Sequence, residues 1–241
     1  QVFSEEDLTR LKGCLAVGHT RYSTTGSSRI LNVQPILAEG PDGQLVLGHN
    51  GNLVNTASLR AQLIREGFEF ATTSDTELIA QLFAKGPGAD TTERIRGAMQ
   101  RMRGAYSVVL ATESSLYAVR DPWGVRPLVL GHLKGHWVVA SETCALDTIG
   151  ASFVRDIAPG EILRIDDSGL HSTTGLPAQR RSLCVFEFIY FARPDSIMDG
   201  RLLYMARQDM GRELAKEHPV EADIVIGDRQ TSTIAHFSPA K

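Results

Sequence analysis

Three short polar clusters contain the residue types that could bind a small amino acid and act on it. They are H-T-R-Y-S-T-T-G at 19–26, G-H-N-G-N at 48–52 and T-S-D-T-E at 73–77. Arg21 could clamp a carboxylate and Asp75 an ammonium group, while Asn50 and the Gly51 N–H could donate hydrogen bonds to an oxyanion. Together these groups suit the chemistry of an amino acid with an amide side chain.

Each of these residues also has a simpler explanation. Asn50-Gly51 lies between two apolar runs, which is typical of the tight turn of a β-hairpin because both residues tolerate positive φ. Arg21 could be a surface charge, and Asp75 could complement a helix dipole. The turn could also serve both purposes, since an Asn-Gly bend can present a side-chain amide and a backbone N–H to the same point. His19 and His49 have no metal-ligand spacing and are interpreted as hydrogen-bonded histidines at strand ends.

The elements that must position these clusters are a mixture of helices and strands. Ser74 is the expected N-cap of one helix, in a capping box with Glu77. Apolar periodicity and turn residues predict further elements: strands at 14–19 and 44–49, a helix ending at Gly67, a helix at about 90–103 capped by Asp90, a meander of antiparallel strands after Gly104, a strand at 184–191, a helix at 202–216 and a buried strand at 222–227. The pattern indicates an α+β protein with a boundary near 190–200.

Composition excludes several classes of function. The 241 residues are 42% hydrophobic, enough for a sizeable core, and the net charge of −3 argues against a nucleic-acid partner. Apolar runs are too short to span a membrane, so no membrane partner is expected. Three well-separated cysteines, an odd number, fit reduced thiols in the cytoplasm better than a disulfide framework.

A longer series of motifs resembles one enzyme family. GHTRYSTTG, NVQP, GHNGNLVN, TTSDTE, GAYSVVL, DPWGVRPL, ASETCALD, APGE and FIYFARPDS occur in this order over nearly the whole chain, as they do in the glutamine amidophosphoribosyltransferases. The first clusters are shared by the wider class of glutamine amidotransferases that use an N-terminal cysteine. The last motifs, SETCALD and YFARPDS, are more specific to the amidophosphoribosyltransferase branch.

The resemblance implies a fold and an activity. The fold would be the Ntn-hydrolase four-layer α-β-β-α sandwich, two antiparallel sheets between helices, followed by the first elements of an α/β phosphoribosyltransferase domain. The glutamine amidotransferase domain would occupy residues 1–190, and residues 191–241 would be a linker, a helix and a first strand. Glutamine hydrolysis would supply ammonia to phosphoribosyl pyrophosphate, giving phosphoribosylamine in the first committed step of purine synthesis.

The resemblance also assigns roles to the three clusters. Arg21 with Thr24 would hold the α-carboxylate of glutamine, and Asp75 its α-ammonium group. Asn50 and Gly51 would form the oxyanion hole.

Other family parts are missing from the printed sequence. The nucleophilic cysteine lies several dozen residues before the arginine motif, but only 20 residues precede Arg21 here, and no phosphate-binding loop follows residue 227. The expectation is therefore a chain truncated at both ends and inactive by itself. The intact enzyme would bind phosphoribosyl pyrophosphate, be a homo-oligomer and need Mg²⁺ in its transferase domain, with no cofactor in this chain.

Three alternatives stay open from the sequence. Some family members hold a [4Fe–4S] cluster through a cysteine at the position of Cys184, although a buried strand residue is favoured because a cluster needs four thiolates. The chain could be a glutamine-binding pseudo-enzyme without turnover. It could also come from another amidotransferase of the same class, such as a glucosamine-phosphate synthase, which YFARPDS disfavours.

Overall fold

The chain divides into two compact units in the computed structural model, which describes residues 4–20, 32–219 and 221. The first unit contains the described residues up to Pro122 and the segment Ala158–Gln179. The second contains Trp123–Ile157 and the described residues from Arg180 onward. A domain boundary at residue 190 stays a prediction, as does the second domain beyond it.

The first unit is a six-stranded sheet covered by helices. Its described elements are α1 (Glu5–Arg10), β1 (Ile36–Gly40), β2 (Gly43–Leu53), α2 (Thr56–Arg65), α3 (Asp75–Lys85), α4 (Thr91–Arg101), β3 (Gly104–Ala111), β4 (Leu116–Arg120), β8 (Glu161–Asp166) and β9 (Gly169–Thr174). The strands are antiparallel in the order β1-β2-β3-β4-β8-β9. Helix α3 packs on β1 and β2 and against α4. The core between helices and sheet includes Leu47, Leu63, Phe83 and Met99, all fully buried.

The second unit contains two smaller sheets and two α-helices in its described part. Its elements are β5 (Val129–Leu133), β6 (His136–Ala140), α5 (Thr143–Ile149), β7 (Ser152–Asp156), a π-helical segment (Glu187–Phe191), β10 (Ile197–Met198), β11 (Arg201–Leu202) and α6 (Leu203–Glu217). Strands β6, β5 and β7 form one antiparallel sheet, and β10 pairs with β11 in the other. Helix α5 packs on β6 and β7, where Leu146 is fully buried.

Several helix signals in the sequence are confirmed at the residues that carry them. The Ser74 hydroxyl accepts a hydrogen bond from the Thr76 N–H at the start of α3, and the Asp90 carboxylate accepts one from the Glu93 N–H at the start of α4. Gly67 follows α2 with φ of +93°, a conformation that favours glycine. None of the helices in the described part of the chain is long and apolar enough to cross a membrane.

Two strand predictions and one cap detail are wrong. Residues 14–19 form no strand with any described part of the chain; the Val17 and His19 side chains instead lie close to Gly48 of β2. Residues 184–191 are not a strand either, and the π-helical segment there buries Glu187. Glu77 does not reach back to the Ser74 N–H; its carboxylate accepts hydrogen bonds from residues 71 and 72. The strand expected at 222–227 lies outside the described residues.

Candidate active site on strand β2

Strand β2 presents a row of backbone N–H groups on the side that faces β1. In an antiparallel pair, successive residues point their N–H and C=O groups alternately to the two neighbouring strands. The Tyr106 backbone bonds to Asp121 on the β4 side, so its partner in β2, Gly51, must point away from β3. The pairing of β1 with β2 ends at Ile36↔Leu47, so Gly51 lies beyond the last paired residue at this edge.

The two N–H groups on either side of Gly51 in this row are both bound by side chains. The His49 N–H donates to the Gln34 side-chain oxygen at 2.6 Å, and the Leu53 N–H donates to Asp75 Oδ2 at 3.0 Å. Among the residues that the structure describes, the Gly51 N–H therefore lies at an open edge between two occupied positions. This geometry suits an oxyanion donor, because the strand fixes the position of the N–H while no strand hydrogen bond occupies it.

Residue 51 must be a glycine for two reasons. Its φ of +153° lies where side chains are rarely tolerated, and a Cβ there would come within 2.1 Å of the Ala105 carbonyl oxygen and 2.8 Å of His49 Nε2. Gly51 is exposed on the strand, so a ligand can approach its backbone N–H, and any larger residue at this position would block that approach.

The prediction that Asn50-Gly51 is a hairpin turn is wrong. β2 continues through both residues, with Asn50 opposite Ser107 and Gly51 opposite Tyr106. The hairpin turn instead follows Gly40 at Pro41-Asp42, nine residues earlier. The apolar runs on both sides of Asn50-Gly51 belong to one 11-residue strand, because β3 supplies a partner along its whole second half.

The loop before α3 is held rigidly by side-chain hydrogen bonds. Glu77 is buried, and its carboxylate accepts hydrogen bonds of 2.7 Å from the Ala71 N–H, the Thr72 N–H and the Thr72 hydroxyl. Arg60 donates to the Thr72 and Ser74 carbonyl oxygens and lies over the Phe70 ring. These contacts fix the position from which Asp75 projects.

Asp75 stands at the first position of α3 and contacts β2. Its Oδ2 accepts the Leu53 N–H, while Oδ1 lies 3.9 Å from Nδ1 of the buried His49 ring. The Asp75 side chain keeps 14% of its surface exposed. A carboxylate that is fixed through one oxygen and still reaches solvent can bind a cationic group of a ligand. The helix-dipole explanation of Asp75 is compatible with this position but does not explain the contact with β2.

The structure brings together part of the predicted site. Asn50, Gly51 and Asp75 are joined by β2 and the Leu53 contact. Arg21 and Thr24 lie outside the described residues. The contribution of His49, Thr76 and Gln34 was not foreseen beyond a hydrogen-bonded histidine; the only sequence signal was that His49 and Thr76 lie within the clusters and Gln34 within the NVQP motif.

Cys184 belongs to the second unit and is partly buried. A [4Fe–4S] cluster needs four thiolates, whereas the chain has three cysteines and the Cys144 thiol points to the Glu142 carboxylate at 3.8 Å. Within the described ranges, no three His, Cys, Asp or Glu side chains are arranged to hold a metal ion. The described residues do not form a binding site for an iron–sulfur cluster, and the role of Cys184 as an iron ligand stays a prediction.

A model of the glutamine amidotransferase domain matches residues 19–148, which include β2, α3 and the whole candidate site. The chain belongs to the glutamine amidotransferase domain family.

Within that class, the similar proteins are named amidophosphoribosyltransferases. The one from Synechococcus elongatus is 53% identical over 233 residues, covering 94% of this chain and 47% of that protein. The one from Archaeoglobus fulgidus is 43% identical, covering 98% of this chain and 55% of that protein. The chain spans about half the length of the curated relatives it matches.

Solved structures give the same result. The glutamine phosphoribosylpyrophosphate amidotransferase from B. subtilis, complexed with ADP and GMP, matches with a TM-score of 0.84 and 41% identity, covering 90% of this chain and 47% of that one. A structure described as the allosteric regulatory enzyme of purine biosynthesis matches with a TM-score of 0.85 and 42% identity, with the same coverage. This similarity confirms the expected α+β fold, with the two antiparallel sheets and helices of an Ntn-hydrolase glutamine domain.

Proposed function

We propose that this chain is the glutamine-hydrolysing part of an amidophosphoribosyltransferase, and that glutamine binds along the open edge of β2. The observation that carries the proposal is the placement of Asp75 against Leu53, two residues from Gly51 on the same strand edge. Two strand residues span about 6.6 Å. That separation suits an extended glutamine, with its ammonium group at Asp75 and its amide at Gly51.

The residues would act at different stages of the reaction. When a nucleophile attacks the amide carbon, the carbonyl oxygen becomes an oxyanion, to which the Gly51 N–H and the Asn50 side chain would donate hydrogen bonds. The C–N bond then breaks and ammonia leaves. Asp75 would hold the α-ammonium group before and during this step, and Arg21 with Thr24 would hold the α-carboxylate.

Cys144 is a poor candidate for the nucleophile. Burial raises the pKa of the Cys144 thiol, and the nearby Glu142 carboxylate raises it as well, although a hydrogen bond with Ser196 opposes the shift. A thiol with a raised pKa is mostly protonated near neutral pH and therefore weakly nucleophilic. We infer that the 241 residues alone do not release ammonia from glutamine. All three cysteines are free thiols, which supports a cytoplasmic location.

The transfer of ammonia to phosphoribosyl pyrophosphate is proposed for the natural protein that contains this chain. Its support is the naming of the relatives and of the B. subtilis structure, which extend over about twice the length matched here. Mg²⁺ dependence and a homo-oligomeric assembly belong to the same proposal. A pseudo-enzyme that binds glutamine without turnover is the competing candidate.

The test uses the natural protein, with Asn50→Ala and Asp75→Ala compared with the wild type in steady-state glutamine hydrolysis. Loss of an oxyanion donor should lower kcat by roughly 10²–10³, about 2.7–4 kcal/mol, with a smaller change in KM. Loss of the ammonium contact, worth about 1.5–3 kcal/mol, should appear mainly in KM.

Two exposed residues of the same unit provide matched controls. Asn52→Ala removes an exposed amide two residues after Asn50 on β2. Asp167→Ala removes an exposed carboxylate in the turn between β8 and β9. Both should leave kcat and KM unchanged. A wild-type protein that binds glutamine but never hydrolyses it would establish the pseudo-enzyme instead.

A further inference from the structure

We propose that His49 is a positioning residue that couples the two ends of the glutamine site, holding the Asp75 carboxylate in place relative to Gly51. The inference rests on the proposed function, because it gives His49 no contact with the substrate. It concerns how the chain selects an α-amino acid rather than how it breaks the amide bond.

The His49 ring reaches the start of α3 on one side. Its side chain is 1% exposed, and Nδ1 lies 3.3 Å from the Thr76 hydroxyl and 3.9 Å from Asp75 Oδ1. Thr76 is itself buried. The ring therefore lies between β2 and the first turn of α3, at the point where the helix presents Asp75.

The same ring lies beneath Gly51 on the other side. A Cβ on Gly51 would come within 2.8 Å of Nε2, so the ring fills the space that a side chain at residue 51 would take. The His49 backbone N–H is fixed by the Gln34 side chain. One buried ring thus touches both the strand position of the oxyanion donor and the carboxylate proposed for the ammonium group.

Hydrogen-bond chemistry explains how the ring would orient Asp75. A carboxylate only accepts hydrogen bonds, whereas a threonine hydroxyl both donates and accepts them. A ring with its proton on Nδ1 can donate to the Thr76 hydroxyl at 3.3 Å and present the positive end of its N–H dipole to the Asp75 carboxylate, whose Oδ1 lies beyond hydrogen-bond distance at 3.9 Å. Because Oδ2 of Asp75 is already bound to the Leu53 N–H, His49 and Leu53 together determine the direction in which Oδ1 meets an ammonium group.

The consequence is a specific effect on substrate discrimination. A misplacement of about 1 Å in a binding group can cost up to about 10²-fold in rate. If His49 acts only through Asp75, its loss should weaken the recognition of the α-ammonium group and leave the amide end less affected. A purely structural role would reduce the use of all substrates equally.

The experiment compares L-glutamine with 4-carbamoylbutanoate, which has the same amide and carboxylate but no amine. In the natural protein, His49→Leu should raise KM for L-glutamine about tenfold, which corresponds to about 1.4 kcal/mol, with a smaller change in kcat. The kcat/KM for 4-carbamoylbutanoate should stay within about twofold of the wild-type value. His49→Asn, which can place an amide N–H near the Nδ1 position, should recover most of the preference for L-glutamine.

A second pair of variants keeps the test decisive if His49→Leu does not fold. Thr76→Val removes the hydroxyl at nearly constant volume and should weaken the preference for L-glutamine in the same direction, while Thr76→Ser should retain it. His171→Leu, at a partly exposed histidine of the same unit, is the matched control and should leave kcat/KM unchanged for both substrates.

The outcomes separate the two proposals. A wild-type protein that fails to prefer L-glutamine over 4-carbamoylbutanoate would remove the proposed role of Asp75. A wild-type preference that survives in both His49→Leu and Thr76→Val would overturn the role of His49 alone. An equal loss of activity on both substrates, without recovery in His49→Asn, would show that the residue is only part of the core.

Discussion

The start of α3 in the first unit and the segment 184–192 in the second unit each bury a glutamate, but they hold it in different ways. Glu77 accepts hydrogen bonds from residues 71 and 72, six and five positions earlier in the chain. Glu187 forms an ion pair with Arg126, which is distant in the sequence. One carboxylate is satisfied locally, the other by a cation from elsewhere in its unit.

The Glu187 arrangement depends on the charges around the buried carboxyl. Burial raises the pKa of Glu187 above its ordinary value of 4.5; Arg126 opposes this shift and Glu142 adds to it. The π-helical segment around Glu187 also depends on Arg207, whose guanidinium donates to the Phe188 and Ala192 carbonyl oxygens at 2.7 and 2.6 Å. Burial lowers the pKa of Arg207.

This difference explains why the conformation of one segment can be predicted from the sequence and that of the other cannot. The T-T-S-D-T-E stretch contains its own donors, acceptors and cap, so its conformation follows from neighbouring residues. The C-V-F-E-F-I-Y-F stretch alternates like a strand in part, but the two arginines that bind it come from β4–β5 connecting residues and from α6. Four predictions test this contrast, from the largest effect to the smallest.

Arg126→Met should destabilise the second unit most, because it leaves Glu187 buried without its cation. Breaking a buried pair in this way costs about 3–5 kcal/mol. The neutral form of Glu187 favours folding, so its contribution is present below pH 4.5 and is lost as the pH rises through the raised folded-state pKa. The deficit, measured by denaturant unfolding from pH 4 to 8, should therefore grow with pH.

Two further variants check the cause of that deficit. Adding Glu187→Gln to Arg126→Met should remove most of its growth with pH, because no carboxyl remains to ionise. Arg180→Met, at an exposed position of the same unit, should cost little. A deficit that is independent of pH would mean that Arg126 acts through packing, for example through its position over the Phe191 ring.

Arg207→Met should have the second-largest effect on stability, because it removes the donor to the Phe188 carbonyl oxygen and to the buried Ala192 carbonyl oxygen. Each unsatisfied buried group costs about 1–3 kcal/mol. Arg207→Lys should recover only part of the loss, since an ammonium group cannot reproduce the planar fork of a guanidinium. Hydrogen exchange at residues 187–192 would locate the effect, and unchanged exchange there would contradict it. Arg212→Met, an exposed residue of α6, is the control.

Glu77→Gln should destabilise the first unit by about 1–3 kcal/mol, the cost of weakening hydrogen bonds to a charged acceptor. One carboxylate oxygen becomes an amide NH₂ group and can no longer accept from residue 71 or 72. Thermal unfolding, compared with the exposed Glu69→Gln, measures the difference. Equal melting temperatures for these two variants would show that the loop does not depend on the Glu77 charge.

Ser74→Ala should have the smallest effect, about 0.5–2 kcal/mol, because it removes one N-cap hydrogen bond. The loop would remain held by Glu77 and Arg60, so the fold should persist. Ser74→Asp should restore the stability, since aspartate is an equally good cap and is favourable at a helix N-terminus. A loss above 3 kcal/mol would indicate that Ser74 supports more than the first turn of α3.

Predictions from the sequence were strongest where a helix carries its own boundary signals. The caps Ser74 and Asp90 and the glycine after α2 were located correctly. Antiparallel strands after Gly104 were also correct, but their division between two sheets was not predicted from periodicity, because a strand pattern does not identify its partner. For the candidate site, Asn50, Gly51 and Asp75 were named from residue type and resemblance, while the supporting His49 and Thr76 contacts were not.

The sequence by itself determined the family and the fold class of this chain, and the residue types available for binding glutamine. These follow from local chemistry and ordered motifs. Only the tertiary structure decided that Asn50-Gly51 lies within a strand, that Asp75 binds the Leu53 N–H and that residues 187–191 form a π-helical segment. Each of these outcomes depends on partners far away in the chain, β3, α3 and two arginines, and short-range sequence patterns carry no information about such pairings.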